Sequence, residues 1–350
     1  VTDITKVNNN GSTCMFVACM NCHLLVCKWL FEVGASADIT KATISGRTPM
    51  FVACFYGHLS VCKWLFDAGA DTDITKAYNE GYTPMYVSCQ EDHMSVYTWL
   101  LEVGAAEDIT KANNNGASPM YMACEKGNLS VCKWLFKVGA IADINKAMHI
   151  GFTPMYIACY YGHLSVCKWL FEVGAIADIT KADNKGFTPM YVACLNGHLP
   201  VCKWLFKVGA AADITKASNN GHTPLYAACQ NGLLSVCEWL FEVGAATDIS
   251  KANSNGVTPM QIAFQNGHLL VCKWLVFNGA NYAFMSIEDG EDNYTTPFTD
   301  CLCYRRNLFA WTNEVNAVHH VFSSVFLLGT YSDTRHGSEH LWKLPCGVLT

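Results

Sequence analysis

The chain has 350 residues, 51% hydrophobic and 15% charged, with a formal net charge of −6. That balance excludes a nucleic-acid backbone as the main partner, which needs clustered Lys and Arg, and no run of 18 apolar residues is present to cross a membrane as a helix. The 19 cysteines stand in a long chain without a secretory leader, which argues for thiols over a disulfide framework.

Taken in order, the chain repeats itself. Glycines lead a recurring unit at Gly11, Gly46, Gly81, Gly116, Gly151, Gly186, Gly221 and Gly256, each 35 residues after the last. A fixed period of this size marks a stacked repeat array. The second copy is representative. Thr48 is placed to cap a helix and Pro49 to occupy its first position. The pattern predicts a short helix over 50–56, closed at Gly57 by a left-handed residue. His58 opens a second helix over 61–68, with Val61, Cys62, Trp64 and Leu65 as its apolar stripe. Gly69 caps it, and an extended excursion from Asp73 leads to Gly81. Two helices this short cannot bury a core alone, so neighbouring copies must stack.

The unit Gly-x-Thr-Pro-Met-Tyr-x-Ala-Cys-x-x-Gly-His-x-x-Val-Cys-x-Trp-Leu-x-x-x-Gly-Ala resembles the ankyrin repeat, over residues 1–281. The resemblance implies an all-α ankyrin-repeat solenoid of helix–turn–helix units with hairpin-like loops. It also implies a non-enzymatic protein–protein interaction scaffold that binds through its concave groove and loop tips. The departures from the family pattern are regular. Tyr stands where His is usual (Tyr86, Tyr121, Tyr156, Tyr191, Tyr226), Cys replaces one Ala and one Val, Trp replaces a Leu, and the loop is two residues longer. They put in question the side-chain hydrogen bonding between repeats and leave the fold intact. The Cys register is that of buried small residues, so the thiols read as core.

Individual copies differ. Repeat one has Cys14 for Pro and Cys22 for the helix-ending Gly. Repeat three has Asp92 for that Gly, and Tyr97-Thr98 for Cys-Lys. Loss of the turn glycine predicts that repeats one and three are the least stable. Beyond Ala280 the pattern stops. An acidic linker over 282–296 is followed by apolar residues at helical spacing, read as a helical C-terminal cap over 297–350. Leu344-Pro345 with Val348-Leu349 resembles the start of a box that recruits ubiquitin-ligase scaffolds, giving a substrate-adaptor role as the alternative function. Because the chain opens at Val1 inside a repeat's loop, it reads as a piece of a longer protein.

No phosphate loop, nucleophile elbow, metal-binding His-Glu-x-x-His or isolated activated Cys is present, so no enzyme activity, cofactor or metal is expected. The recurrent His is read as a helix-start residue bonding local backbone. Positions free to vary between copies mark the surface: the two residues before the lead Gly, the one after it, and the two before the helix-ending Gly. Aromatic residues gather there as Phe55, Tyr56, Tyr82, His149, Phe152, Tyr160, Tyr161 and Phe187, the candidate partner-binding set, with the cluster of repeat five (His149, Phe152, Tyr160, Tyr161) as its centre. The expected partner is an unidentified protein, bound by a monomeric, cytoplasmic or nuclear chain.

Overall fold

The computed structural model describes residues 4–281, and the acidic linker, helical cap, His319-His320 and box-like segment lie outside them. Among the described residues there are sixteen α-helices, two per repeat, from Cys14–Met20 and Leu24–Leu30 in repeat one to Pro259–Gln265 and Leu269–Phe277 in repeat eight. In repeat two, Thr48 Oγ1 accepts the Phe51 amide at 3.2 Å and the helix runs Pro49–Phe55. The same hydroxyl cap recurs from Thr13 to Thr258. First helices of neighbouring repeats lie against each other more extensively than second helices do. The array therefore curves with its first helices on the inner side.

The core is made of the constant positions. Met50, Cys54, Val61, Cys62 and Leu65 are fully buried, as are their counterparts through repeat seven. In six repeats the two core cysteines face each other, with sulfurs 3.5–3.7 Å apart, as in Cys54–Cys62 and Cys194–Cys202. All sixteen cysteines among the described residues are free thiols. Burial pushes the Cys54 and Cys89 thiols up, and Cys272 to about 12.

On the outer side, each second helix sends a Phe edge-on into the Trp of the next repeat, as in Phe136–Trp169 at 5.8 Å and Phe171–Trp204 at 5.9 Å. Such pairs contribute roughly 0.5–1.5 kcal/mol beyond burial. Repeat three has Leu101 at this place, and Tyr97, fully buried, reaches Trp134 instead at 4.4 Å. The Tyr97-Thr98 departure thus supplies the ring contact that Leu101 cannot.

Two local expectations change. The second helix of repeat two is Leu59–Leu65 rather than 61–68, and the chain then turns through Phe66–Ala70. The excursion begins as a 3-10 turn, Asp71–Thr75, not extended chain. Asp73 and Ile74 are buried there, and Lys76 Nζ lies 3.4 Å from Asp73 Oδ1. The turn recurs with Asp108, Asp143, Asp178, Asp213 and Asp248, each with one carboxylate oxygen left without a hydrogen bond. Burial raises these carboxyls above their ordinary value, and the neighbouring Lys lowers them only in part.

The recurrent His does not bond local backbone. His58, His93, His163, His198 and His268 place Nε2 2.9–3.0 Å from a carbonyl oxygen 38 residues earlier, at the end of the preceding repeat's first helix. A carbonyl only accepts, so Nε2 carries the proton. Each ring also fills space kept open by the preceding turn glycine: a Cβ on Gly57 would stand 2.5 Å from His93 Nδ1. Asp92, which carries a Cβ at that place with φ 58°, is followed by Asn128 in place of His. Cys22 (φ 59°) is the exception, and His58 still reaches Met20 O at 3.0 Å.

Candidate functional site

The inner surface is assembled from the two residues before each helix-ending turn residue, the residue after the lead glycine, and the loop between repeats. The loops are fixed to one another. The His149 amide donates to Asn115 O at 3.2 Å, and Asn184 Nδ2 donates to His149 O at 3.0 Å, with matching rungs at Asn79, Asn114 and Asn219. Within a loop, a side chain three residues before the lead glycine folds the turn. Asp183 Oδ1 accepts the amides of Lys185 and Phe187 at 2.9 and 2.8 Å.

The Tyr row connects first helix to loop. Tyr156 donates to Asp183 Oδ2 at 3.2 Å, while Tyr86 and Tyr226 accept from Asn113 and Asn253 at 3.3 Å. This answers what the Tyr-for-His departure does: the phenol bonds the loop of the next repeat, 27 residues on. Burial pushes the Tyr156 hydroxyl well above its ordinary value, and the Asp183 carboxylate adds to it.

The eight candidate residues divide by exposure. Tyr56 is 48% and Tyr161 46% exposed, and His149 is also exposed. Phe55, Tyr82, Phe152, Tyr160 and Phe187 are half-buried. Phe152 stacks on Tyr156 at 4.4 Å and Phe187 on Tyr191 at 4.5 Å, so these two rings cover the Tyr row as well as facing outward. Tyr160 and Tyr161 meet edge-on at 5.0 Å, and Tyr161 stacks beside His163 at 6.2 Å. The His149 ring lies against Gly116, where a Cβ would stand 2.9 Å from it. His149 therefore takes the place that Asn holds in the other rungs and is a loop-packing residue as well as a surface one.

Phe55, Tyr56 and Tyr82 are brought together in repeats two and three. They line a cleft of about 340 Å³ with Phe16, Met20, Arg47, Phe51, Val52, Tyr78, Val87 and Gln90. Phe51 meets Tyr78 edge-on at 5.0 Å, Tyr78 stacks on Tyr82 at 5.1 Å, and the Arg47 guanidinium lies 5.0 Å above the Tyr78 ring. Tyr78 donates to Glu80 Oε2 at 2.8 Å, and burial together with Glu80 pushes its hydroxyl up to about 12. Reasoning from sequence missed Arg47, Tyr78, Phe51 and Met20. One signal was available: Arg47 is the sole arginine of the eight repeats.

Among the described residues, no group of three or more His, Cys, Asp or Glu could hold a metal ion, and no helix is long and apolar enough to cross a membrane. No curated protein matches the chain. A family model described as ankyrin repeats (3 copies) matches residues 1–76, 68–148, 139–218 and 208–285.

Proposed function

The chain belongs to the ankyrin-repeat family, and we propose that it is a protein-binding scaffold that grips a partner on its inner groove and loop tips. The observation that carries this reading is the division between constant and varied positions. The stacking residues, His and turn glycines recur because each must fit its neighbour. The residues at the inner helix ends change from copy to copy, and there Tyr56 and Tyr161 stand about half exposed. A rigid surface bearing exposed aromatic rings concentrates binding energy, with truncation at such anchors costing about 2 kcal/mol or more. Binding, not catalysis, is the activity this surface supports.

The test is capture of a partner from cell extract by the whole chain, beside a Tyr56→Ala/Tyr161→Ala variant. These two are the exposed Tyr rings of the candidate set and take no part in the Tyr-to-loop hydrogen bonds. Capture by the first and loss by the second, with equal circular dichroism, is the expected result. Equal capture by both places the contact away from the inner groove and removes the reading.

A further inference from the structure

We propose that the Arg47 cleft receives a segment of a partner protein in which an Asp or Glu side chain stands beside an aromatic one. This rests on the groove-binding function above and names the chemistry that one part of the groove selects.

The argument starts from what lines the cleft. Of its eleven lining residues, Arg47 is the only charged one, and six rings (Phe16, Phe51, Phe55, Tyr56, Tyr78, Tyr82) supply most of the rest. At about 340 Å³ it lies at the low end of sites that hold small ligands, roughly 300–1,000 Å³, enough for one large side chain with its neighbour. Rings accept an aromatic side chain edge-on or offset.

Arg47 sets the sign of the charge beside it. The ion pairs among the described residues all join a Lys to an Asp, and Arg47 is in none of them. Glu80, in the following loop, accepts from the Tyr78 hydroxyl, and Glu91, at the helix end, accepts from Gln90 Nε2 at 2.7 Å. The guanidinium carbon lies over the Tyr78 ring, 5.0 Å from its centroid, and Arg47 is exposed. A planar fork in this state fits a carboxylate with two parallel hydrogen bonds, at a site where a Lys would act only as a point charge. The same guanidinium repels a lysine or methyl-lysine that would otherwise favour a cluster of rings. Repeat five has no such charge: Phe152 stands where repeat two has Arg47. The two aromatic areas therefore differ in what they select.

The experiment is selection of a random twelve-residue peptide library displayed on phage against the full chain and against Arg47→Gln. Affinities are then measured with capped, fluorescein-labelled peptides taken from the enriched set. The expected result is enrichment of an Asp or Glu within one or two residues of Trp, Tyr or Phe. Such peptides should lose about tenfold or more in affinity on Arg47→Gln, in line with loss of a charge-assisted pair, less on Arg47→Lys, and little on Lys133→Ala, an exposed second-helix residue. A fall in affinity at 0.5 M salt, set against little change for the Arg47→Gln chain, is a readout that a merely structural role would not give. Enrichment of lysine-rich or neutral aromatic peptides, or acidic peptides equally bound by Arg47→Gln, overturns the inference and leaves groove binding standing. No enrichment by either chain also overturns it, whereas the groove reading is decided separately by the Tyr56/Tyr161 capture experiment.

Discussion

The ring of His198 occupies the space in which a Cβ on Gly162 would stand, its Nδ1 2.5 Å from that point, while its Nε2 donates to Tyr160 O at 3.0 Å. One histidine thus reads two features of the preceding repeat, the last carbonyl of its first helix and the bareness of its turn. Gly162, at φ +79°, is required twice, for its backbone and for its missing side chain. Gly162→Ala is expected to lower stability by about 2 kcal/mol and His198→Ala by about 1 kcal/mol. The double variant should lose less than the sum, because removing the ring removes the collision. Urea unfolding of the four proteins checks this, and strict additivity would show that ring and turn do not meet.

A second prediction concerns pH. Asp178 is 3% exposed, with Lys181 Nζ at 3.7 Å and one oxygen unpartnered. Its carboxyl is raised above the ordinary value by burial. The folded state therefore holds this proton more tightly than the unfolded chain, so its contribution to stability is full below the unfolded value and is lost as pH rises through the folded one. His198 and His222, lowered by burial, act in the opposite sense, with stability lost as pH falls. The comparison that isolates Asp178 is wild type against Asp178→Asn. The stability of wild type relative to the variant should rise as pH is lowered from 7 toward 4. A pH-independent difference would mean the carboxyl titrates alike in both states.

The thiols give a third. Of the sixteen described cysteines, only Cys14 and Cys22 are exposed. Iodoacetamide at neutral pH should label these two quickly in the native chain. Pairs such as Cys159–Cys167 are closed off by burial, which also raises Cys159, and should react only on unfolding. Peptide mapping after timed labelling distinguishes the classes. Labelling of Cys159 as fast as Cys22 would contradict the packed core.

Much of this architecture was legible in the sequence, and what was not has a physical reason. Thr48, Pro49 and Gly57 act within one turn of themselves, so their cap and stop could be read from spacing. The His58-to-Met20 bond spans 38 residues. A residue at the same place in every copy looks local because its partner, too, recurs. The exposure of the candidate surface was partly legible: Tyr56 and Tyr161 stand exposed where varied positions placed them. Arg47 and Tyr78 come from different parts of the unit, a helix entry and the following loop, and only curvature and loop packing bring them to one cleft. Phe152 and Phe187 lean on Tyr156 and Tyr191, a pairing that depends on which way the loop folds.

Hydrogen exchange supplies a fourth prediction. Cys22 and Asp92 hold positive φ without being glycine, which costs about 1–2 kcal/mol each. Amides of Cys14–Met20 and Pro84–Gln90 should exchange at least about fivefold faster than those of Pro154–Tyr160 and Pro189–Leu195, since about 1.4 kcal/mol is tenfold in opening. Equal protection in all four helices would show that Tyr97–Trp134 and the other contacts offset the turn strain completely.

The fit between a turn glycine and the histidine of the next repeat also bears on how such a gene can change length. Recombination that inserts or removes one whole unit between standard copies rebuilds the same junction, so copy number can drift without a folding penalty. Repeats three and four form one of the junctions that differ. Excising residues 116–150 would set the Asp92 side chain against His163, in the space that Gly127 now leaves open to that ring. Asp92 and Asn128 are therefore expected to be inherited together as a linked pair.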